Sequence, residues 1–298
     1  MNRSESPIDN DLQADDKTVE PNLRPKKLDA YFGQQLVKDE LMIGIQAAKK
    51  RNESIDHLLF HGPPGLGKTT LAMIVAEEMG VSIRITSGPA IERAGDLASI
   101  LTNLQKDDIL FIDEIHRLPL TVEEVLYPAM EDFSVDIVLG KGPKAREVRL
   151  KINKFTLIGA TTKFSLVSQP LRDRFGSTHR LEFYELEDLE KIILQSAQAL
   201  DCVISPKGIT EIAKRSRGTA RVANRILRRV RDFATVEANG EIDDKVANQA
   251  LERMQIDDFG LDQMDRHLLK SLVSDFNGGP VGLDTLAAAI SEDSETIM

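Results

Sequence analysis

The most constraining stretch of this sequence joins an apolar run to a helical pattern through a loop rich in glycine. Residues 58–72 read LLFHGPPGLGKTTLA, and the segment from Gly62 to Thr69 has the spacing G-x-x-x-x-G-K-T. Glycines allow consecutive backbone N–H groups to surround phosphate oxygens, and the following helix adds its positive N-terminal end. The lysine-threonine pair favours this interpretation over an ordinary glycine-rich turn. The sequence therefore predicts a strand, a phosphate-binding loop and a helix, in that order.

The polar side chains of this loop suit a nucleoside triphosphate with its magnesium ion. Lys68 supplies a full positive charge for the β- and γ-phosphates, and Thr69 offers a hydroxyl to Mg²⁺. Thr70 can continue the cradle one residue further into the helix. We therefore expect ATP and Mg²⁺ as the ligands of the loop.

A second stretch, DILFIDEIH, has the pattern of a buried strand that ends in two carboxylates, Asp113 and Glu114. Alone, an acidic pair after a strand is usually a solvated helix cap. Beside a phosphate loop, Asp113 is expected to hold Mg²⁺ through water and Glu114 to polarise the attacking water. Such a general base contributes roughly 10²–10⁴-fold in rate. The combination predicts hydrolysis of a nucleoside triphosphate.

Two later segments narrow the class of hydrolase. TLIGATTKF is a strand ending in Thr161 and Thr162, where a hydroxyl can touch the γ-phosphate or the water. Without the other motifs, plain β-edge threonine would be the better interpretation. SQPLRDRFG then presents Arg172 and Arg174, and one of them could reach the nucleotide of a neighbouring subunit. An arginine finger given in trans contributes roughly 10³–10⁵ in rate.

The pattern of elements divides the 298-residue chain into a tail and three further parts. Residues 1–20 are polar and acidic and are predicted to be a disordered tail. Over 21–182 short β-rich runs alternate with helical patterns, which predicts an α/β fold with a parallel sheet. Amphipathic helices, without strands, are expected over 183–256, and helix patterns around the breaker NGGPVG follow over 257–298. The strand candidates are Leu58–Phe60, Ile83–Thr86, Ile109–Ile112 and Phe155–Ala160.

Net charge and cysteine content limit the functions that remain. The net charge of -10 argues against a chain coated with nucleic acid throughout, but not against a local basic patch or a ring of subunits. The single cysteine, Cys202, can form neither an internal disulfide nor a cysteine zinc site, which fits a reducing cytoplasm. No apolar run approaches the ~18 residues of a membrane helix.

The segment RGTARVANRILRRVRDF predicts an amphipathic helix that begins near Arg221. The apolar side chains from Val222 to Phe233 share one face of this helix, and Arg221, Arg225 and Arg228 share the opposite face. We expect the apolar face in a core and the basic face in solvent. Arg221 is placed where a helical lid would meet the γ-phosphate.

The order of phosphate loop, acidic pair, threonine, arginine finger and lid arginine resembles the AAA+ ATPases. Within that superfamily the chain is similar to the RuvB family, the bacterial ATP-driven motors of Holliday junction branch migration in DNA recombination and repair. The similarity runs from about position 21 to the C-terminus and rests on ten motifs: LRPKKLDAYFGQ, DHLLFHGPPGLGKTTLA, TSGPAIERAGDLASILTNL, LFIDEIHRL, EEVLYPAMEDFSVDIVLGKGP, FTLIGATT, PLRDRFG, LEFY, RGTARVANR and GGPVGLDTLAAAI.

The resemblance implies a role for each matching residue. Asp113 and Glu114 are the implied Walker B pair, and Thr69 and Asp113 are the implied magnesium ligands. The first sensor is Thr162 and the arginine finger is Arg174. The residues implied around the nucleotide are Leu23 and Arg24 against the adenine, Gly65, Gly67, Lys68, Thr69 and Thr70 at the phosphates, Glu131, Asp132 and Phe133 at the pocket border, and Tyr184 and Arg221 on the lid side.

The resemblance also implies partners and a cellular setting. The segment 136–152, two alternating strands around a Gly-Lys-Gly-Pro turn, would be the β-hairpin that docks on the junction-binding protein RuvA. The chain is expected to form a hexameric homo-oligomeric ring on the duplex arms of a DNA junction, in the cytoplasm and within the SOS response. RuvC is a further candidate partner. The family continues through a winged-helix domain with a DNA-contacting wing, so we expect this chain to be truncated at Met298, inside that domain.

Three other classes of protein stay open as alternatives. A clamp-loader ATPase subunit shares the same core, but such subunits usually carry Ser-Arg-Cys at the finger, where this chain has LRDRFG. A monomeric DExH-type helicase is suggested by DEIH but needs a second α/β motor domain. A nucleotide-gated scaffold without motor activity is disfavoured by Glu114 and Arg174. A steep dependence of ATP hydrolysis on protein concentration would distinguish a shared site from a monomeric one.

Overall fold

The computed structural model describes Ile8, residues 23–139 and residues 146–297. Two compact units are present, one spanning Arg24–Glu182 and the other formed by Phe183–Met298 with Met1–Leu23. The disordered tail predicted for residues 1–20 lies outside the described residues, apart from Ile8. No helix of the described residues is both long and apolar enough to cross a membrane.

The first unit contains a parallel sheet and a separate hairpin. Its strands are β1 (Leu58–His61), β2 (Ile83–Ser87), β3 (Ile109–Asp113), β4 (Ser134–Leu139), β5 (Arg146–Lys151), β6 (Thr156–Thr161) and β7 (Ser177–Arg180). Its helices are α1 (Gln35–Arg51), α2 (Lys68–Met79), α3 (Ala94–Thr102), α4 (Leu120–Glu131) and α5 (Gln169–Arg172). The sheet has the order β2-β3-β6-β1-β7, and every pairing in it is parallel. This confirms the α/β fold class.

The middle strands of the sheet are largely apolar, and each ends in a polar residue at the carboxyl edge of the sheet. β1, β3 and β6 read LLFH, ILFID and TLIGAT, and their apolar side chains are buried. Leu97 of α3 and Val122 and Leu126 of α4 pack into the same core. Burying each side chain of this size contributes roughly 1.5–3 kcal/mol.

The four predicted strands are all present, and each ends one residue later than predicted. The prediction missed β7, which reads STHR and pairs only with β1 at the border of the sheet. A polar edge strand of this length shows no apolar run, so tertiary pairing rather than sequence pattern defines it.

The predicted hairpin is present as an antiparallel pair, with β4 and β5 in register over six residues each. Arg149 crosses to Asp136 in a bidentate contact, with Nε–Oδ1 and Nη2–Oδ2 distances of 2.8 and 2.9 Å. The hydrogen bonds from Arg149 lower the pKa of the Asp136 carboxyl. The predicted Gly-Lys-Gly-Pro turn lies outside the described residues.

Among its described residues, the second unit is helical apart from one short pair of strands. Its helices are α6 (Leu186–Ala199), α7 (Pro206–Lys214), α8 (Ala220–Glu237), α9 (Asp244–Arg253), α10 (Gln263–Ser274), α11 (Leu283–Ile290) and α12 (Ser294–Ile297). The short strands β8 (Val203–Ile204) and β9 (Glu241–Ile242) form a parallel pair. The prediction of no strand over 183–256 is wrong, because a pairing this short leaves no periodic pattern in the sequence.

Helix α8 buries a residue that the sequence pattern assigns to solvent. Val222, Ile226 and Val230 are buried as predicted, but Arg225 is only 2% exposed. An arginine can bury its long apolar stem along a packed surface. The solvated basic face of α8 is therefore narrower than a helical wheel indicates.

Candidate active site

The loop between β1 and α2 depends on glycine. Gly62 has a φ of +141°, and a Cβ there would lie 2.4 Å from the carbonyl oxygen of Leu181. Its N–H donates to the carbonyl of Thr161 at 3.2 Å. Gly65 and Gly67 follow with φ values of 80° and 92°, in the left-handed region that favours glycine. Successive N–H groups in such a loop form a concave anion site at the start of α2.

Lys68 opens α2, and its side chain turns back into the loop. Its Nζ donates to the carbonyl oxygens of Gly62 and Pro63 at 2.7 and 2.8 Å. The residue is 7% exposed, and a buried ammonium group needs hydrogen-bond acceptors of this kind. The ammonium group of Lys68 therefore lies against the loop, where phosphate oxygens can replace the two carbonyls as its acceptors.

The segment before α1 runs beside the loop and its helix. The hydroxyl of Tyr31 donates to the carbonyl of Leu66 at 3.0 Å, inside the loop. Arg24 Nη1 lies 3.5 Å from Sδ of Met73, on α2. Arg24 is therefore next to the helix that follows the phosphate loop, and its role at the adenine stays a prediction.

The acidic pair emerges at the same edge of the sheet as the loop. β3 ends at Asp113, and β6 pairs with both β3 and β1. His61, the last residue of β1, is opposite Thr161, the last residue of β6. In open α/β sheets, ligands bind outside these carboxyl ends. The structure therefore brings together the loop, the acidic pair, and Thr161 and Thr162 at the end of β6.

Glu114 is held by side chains from the end of β6 and from the turn after β3. Thr162 Oγ1 donates to the two carboxylate oxygens at 3.2 and 3.0 Å. His116 Nδ1 lies 3.1 Å from Oε2, and the side chain of Glu114 is 31% exposed. Water can thus reach the carboxylate, although both of its oxygens are engaged.

The structure separates the roles of the two adjacent threonines. Thr161 is fully buried, and its Oγ1 accepts the N–H of Lys163 at 3.0 Å and lies 2.9 Å from His116 Nδ1. Burial lowers the pKa of His116, and the nearby negative charge of Glu114 opposes that shift. Thr161 therefore supports the turn, whereas Thr162 contacts the acidic pair.

Arg174 lies just beyond α5, and residues of α4 hold it. Its guanidinium carbon is 4.5 Å from the centre of the Tyr127 ring, and Nη2 is 3.1 Å from Glu131 Oε1. Nη1 donates to the carbonyl of Pro170 at 2.6 Å, and the side chain is 24% exposed. Asp132 is exposed at the end of the same helix. Glu131, predicted at the border of the pocket, thus pairs with the predicted finger.

Arg172, the other candidate arginine, faces a different ring. Its guanidinium carbon is 5.1 Å from the centre of Phe164, which stacks on His61 at 4.3 Å. Burial lowers the pKa of His61, and the positive charges of Arg180 and Lys68 add to that shift. The two arginines therefore have separate aromatic partners.

The oxygen donors at the sheet edge fit a magnesium ion bound with a nucleotide. Such an ion keeps several waters and takes one or two protein ligands plus phosphate oxygens. Thr69, in the first turn of α2, and Asp113, at the end of β3, are donors of this type. Asp113 Oδ1 also accepts the N–H of Glu114 at 3.0 Å, which orients the carboxylate. Among the described residues, no group of three or more His, Cys, Asp or Glu could hold a metal by itself.

Three family models match successive parts of the chain. The Holliday junction DNA helicase RuvB P-loop domain matches residues 23–181, and the RuvB AAA lid domain matches residues 184–257. The RuvB C-terminal winged helix domain matches residues 258–298. The chain belongs to the RuvB family.

Relatives within the RuvB family are similar in both sequence and structure. The proteins named Holliday junction branch migration complex subunit RuvB from Chloroflexus aggregans and Chloroflexus aurantiacus are 60% and 59% identical over 284 residues. Each alignment covers 95% of this chain and 81% of the relative. The structure of the Thermotoga maritima RuvB Holliday junction branch migration motor has a TM-score of 0.82 at 46% identity, covering 93% of this chain and 88% of that one. The structure of a mutant of Thermotoga maritima RuvB has a TM-score of 0.83 at 47% identity, covering 92% and 88%.

The remaining predicted nucleotide contacts of this RuvB-family chain are divided between the two units. In the second unit, the N–H of Tyr184 donates to the carbonyl of Gly218 at 2.8 Å. Arg221 lies in the first turn of α8, three positions after Gly218. Leu23 is buried and groups with the second unit, whereas Arg24 belongs to the first. Phe133, in the first unit, packs against Phe155 with ring centres 6.3 Å apart.

Three residues of the site were not predicted from the sequence. They are Tyr31 at the loop, His116 at Glu114, and Tyr127 at Arg174. A histidine two positions after the acidic pair is a weak sequence signal for the second of these. A tyrosine on an amphipathic helix gives no such signal, because it is usually part of a core.

Proposed function

We propose that this chain is the ATP-driven motor subunit of a Holliday junction branch migration complex. Membership of the RuvB family supports the class, and one observation supports the chemistry. Thr162 contacts Glu114 at the sheet edge that also carries the phosphate loop. The names of the Chloroflexus relatives supply the DNA substrate and the complex.

ATP binding uses the loop that runs from Gly62 to Thr70. The backbone N–H groups around Gly65 and Gly67 contact phosphate oxygens, which the positive end of α2 also attracts. Lys68 exchanges the loop carbonyls, now at 2.7 and 2.8 Å, for oxygens of the β- and γ-phosphates. In this exchange the ammonium group gains ionised acceptors in place of neutral carbonyls, and the added attraction between opposite charges favours binding.

Thr69 and Asp113 would hold Mg²⁺, with Asp113 acting through water. A bound ion would supply positive charge against the charge that develops on the phosphates. The hydrogen bond from the Glu114 N–H keeps the Asp113 carboxylate oriented for this role.

Glu114 acts as the general base that takes a proton from the attacking water. Its carboxylate is engaged by the hydroxyl of Thr162 at 3.0 Å, so this hydrogen bond has to be exchanged before a water can be deprotonated. Thr162 then directs its hydroxyl to the γ-phosphate or to the water. The contact between the two residues would thereby make the base sensitive to the presence of ATP.

Arg174 completes the site of a neighbouring subunit as an arginine finger. It follows the end of α5 and is held by Tyr127 and Glu131 of α4. A finger in trans requires a homo-oligomeric ring, which we propose to be a hexamer. Glu131, Asp132 and Phe133, where α4 ends, border the same shared pocket.

Residues next to the adenine and residues of the lid complete the contacts to the nucleotide. Leu23 and Arg24 lie against the adenine, and the contact of Arg24 with Met73 supports that placement. Tyr184 and Arg221 act from the lid side, where Arg221 stabilises the charge of the γ-phosphate.

The hairpin formed by β4 and β5 binds RuvA. Its two antiparallel strands, joined by the Arg149–Asp136 pair, present a regular edge to a partner. Residues 258–298 match the C-terminal winged helix domain of the family, and this part of the chain contributes to DNA binding. RuvC is a further partner of the complex, and the cytoplasm is its cellular location.

The proposal is tested by measuring ATP hydrolysis and branch migration in the same samples. We expect RuvA and a synthetic four-way junction to stimulate ATP turnover, and the junction to be converted into product duplexes as ATP is consumed. Lys68→Ala should abolish binding of a fluorescent ATP analogue. Lys49→Ala, which removes a half-exposed lysine of α1, is the matched control and should retain binding.

A different result would contradict the motor role. If ATP is hydrolysed while RuvA-bound junctions do not migrate, the chain is an ATPase but not a branch migration motor. If Lys68→Ala still binds the nucleotide with the wild-type affinity, the loop is not the phosphate site.

A further inference from the structure

Arg174 is held by three contacts with residues of its own chain. Its guanidinium lies over the Tyr127 ring at 4.5 Å, pairs with Glu131 at 3.1 Å and donates to Pro170 at 2.6 Å. The ring contact is the one that supports the flat face of the group. A cation this close to an aromatic face is attracted by the ring quadrupole.

Tyr127 is itself fixed by a partly buried polar network. Its hydroxyl donates to Glu123 Oε2 at 3.0 Å and lies 3.4 Å from Ser168 Oγ, which also donates to Glu123 at 2.6 Å. Glu123 is 5% exposed, and Ser168 caps the start of α5 by accepting the N–H of Leu171. Burial raises the pKa of the Tyr127 hydroxyl, so the group stays a neutral donor. One network therefore fixes the ring and the start of the helix that precedes Arg174.

We propose that Tyr127 is a positioning residue that holds Arg174 in the conformation that inserts into the neighbouring subunit's site. This rests on the proposed role of Arg174 as a finger in trans. An arginine side chain has several rotatable bonds, and ordering it in advance lowers the entropy lost when the transition state is reached. Tyr127 does not touch the substrate, and it acts only through Arg174.

The first test separates the ring of Tyr127 from its hydroxyl. Tyr127→Leu removes the ring, and we expect kcat for ATP hydrolysis to fall about tenfold with little change in KM, since the ring contact acts on the transition state. Tyr127→Phe keeps the ring and removes only the bonds to Glu123 and Ser168, so it should retain more activity than the leucine variant. Equal losses in both variants would show that the buried network matters and that the ring contact does not.

The second test asks on which side of a shared site the defect lies. At fixed total protein, Tyr127→Leu chains are mixed with equal amounts of Glu114→Gln chains. If Tyr127 acts through Arg174, about a quarter of the interfaces pair an intact Glu114 with an intact Tyr127 and Arg174, and the total rate rises above that of Tyr127→Leu alone. If Tyr127 instead serves its own chain's site, the same mixture only dilutes it and the rate falls.

Two further mixtures complete the design. Tyr127→Leu with Arg174→Ala should not recover, because both lesions are on the donating side. Arg174→Ala with Glu114→Gln tests the finger itself: if these chains form mixed oligomers but stay inactive, the trans role of Arg174 fails, and the role of Tyr127 with it. If that mixture recovers and the Tyr127→Leu mixture does not, only the positioning role is overturned.

Discussion

The two halves of the proposed catalytic site, both within the first unit, are built in different ways. The half that holds the nucleotide is built mainly on backbone: glycines with positive φ and the ends of β1, β3 and β6 place its polar side chains, among them a lysine bound to loop carbonyls. The half that donates Arg174 is formed by side chains of α4 and α5, namely a ring, a carboxylate and a buried network. Backbone groups fix the position of phosphates, whereas the side-chain contacts that hold Arg174 can break and form again.

The difference indicates what each half can tolerate. In a loop whose carbonyls and N–H groups form the site, the positions with positive φ, at Gly62, Gly65 and Gly67, favour glycine over other residues. An arginine held by a ring and a carboxylate can exchange partners at little cost, because each contact is modest in strength. The following predictions use this contrast, beginning with the largest effect.

Replacing the donated arginine should have the largest effect on turnover. Arg174→Ala should lower kcat by roughly 10³–10⁵ and leave ATP binding close to that of the wild type, because the finger acts in the transition state. Single-turnover hydrolysis and a fluorescent-nucleotide titration measure the two quantities. Arg172→Ala is the matched control from the neighbouring helix α5 and should lose far less. If the two variants lose equally, the assignment of the finger to Arg174 is wrong.

Replacing the general base, Glu114, should lower turnover less than replacing the arginine finger, Arg174. Glu114→Gln keeps the shape of the side chain but removes its ability to take a proton, and kcat should fall by roughly 10²–10⁴. Asp113 remains, so nucleotide binding in magnesium should persist. Steady-state hydrolysis and binding isotherms test this. Turnover equal to that of the wild type would exclude Glu114 as the base.

A methyl group in the loop should disrupt the backbone half of the site. Gly62→Ala places a Cβ 2.4 Å from a backbone carbonyl, while Gly80→Ala, also at positive φ, meets nothing within 4 Å. Because overpacking of this kind costs about 1–3 kcal/mol, Gly62→Ala should be less stable than Gly80→Ala by that amount and should bind ATP more weakly. Urea unfolding and nucleotide titration measure both. Equal stability of the two variants would mean that the loop adapts.

The smallest predicted effect concerns the pH dependence of stability. The Nδ1 of His57 accepts the N–H of Leu157 at 2.8 Å, and Nε2 lies 3.2 Å from the carbonyl of Met130. Burial lowers the pKa of His57 below its ordinary value of 6.5, so the unfolded chain binds a proton first as the pH falls. The contribution of His57 to the free energy of unfolding is therefore complete above about pH 6.5. Below that pH it declines, by at most about 1.4 kcal/mol per pH unit.

The variant that tests this contribution is His57→Gln. A glutamine does not titrate, so the fall in unfolding free energy between about pH 7 and pH 5 should be smaller than in the wild type. Urea unfolding at several pH values provides the comparison. A steeper decline in the variant would reverse the predicted sign.

The sequence predicts the backbone half of the site far better than the other half. Apolar runs mark β1, β3 and β6, and the glycine, lysine and acidic motifs stand directly at their ends, so short-range pattern is sufficient. Tyr127 and Ser168, in contrast, are 41 positions apart. Neither residue has an unusual local context, and only the packing of α4 against the start of α5 brings them together.

The same reasoning accounts for the errors elsewhere in the fold. β7 is polar and pairs on one side, so the hydrogen bonds to β1 create it without an apolar signal. The pair β8 and β9 is too short to show a period. Arg225 is buried although a helical wheel places it in solvent, because burial depends on neighbours that helical periodicity does not specify.

The close approach of Gly62 to Leu181 has a mechanical consequence. The N–H of Leu181 donates to the carbonyl of His61 at 2.8 Å, so the end of the last strand is tied to the residue at which the phosphate loop begins. Two residues after Leu181, at Phe183, the chain enters the other compact unit. Tension applied along this connection is transmitted to Gly62 over a very short length of polypeptide. A force along this connection would therefore change the conformation of the phosphate loop. Conversely, a change in the loop when ATP binds would exert a force on the connection.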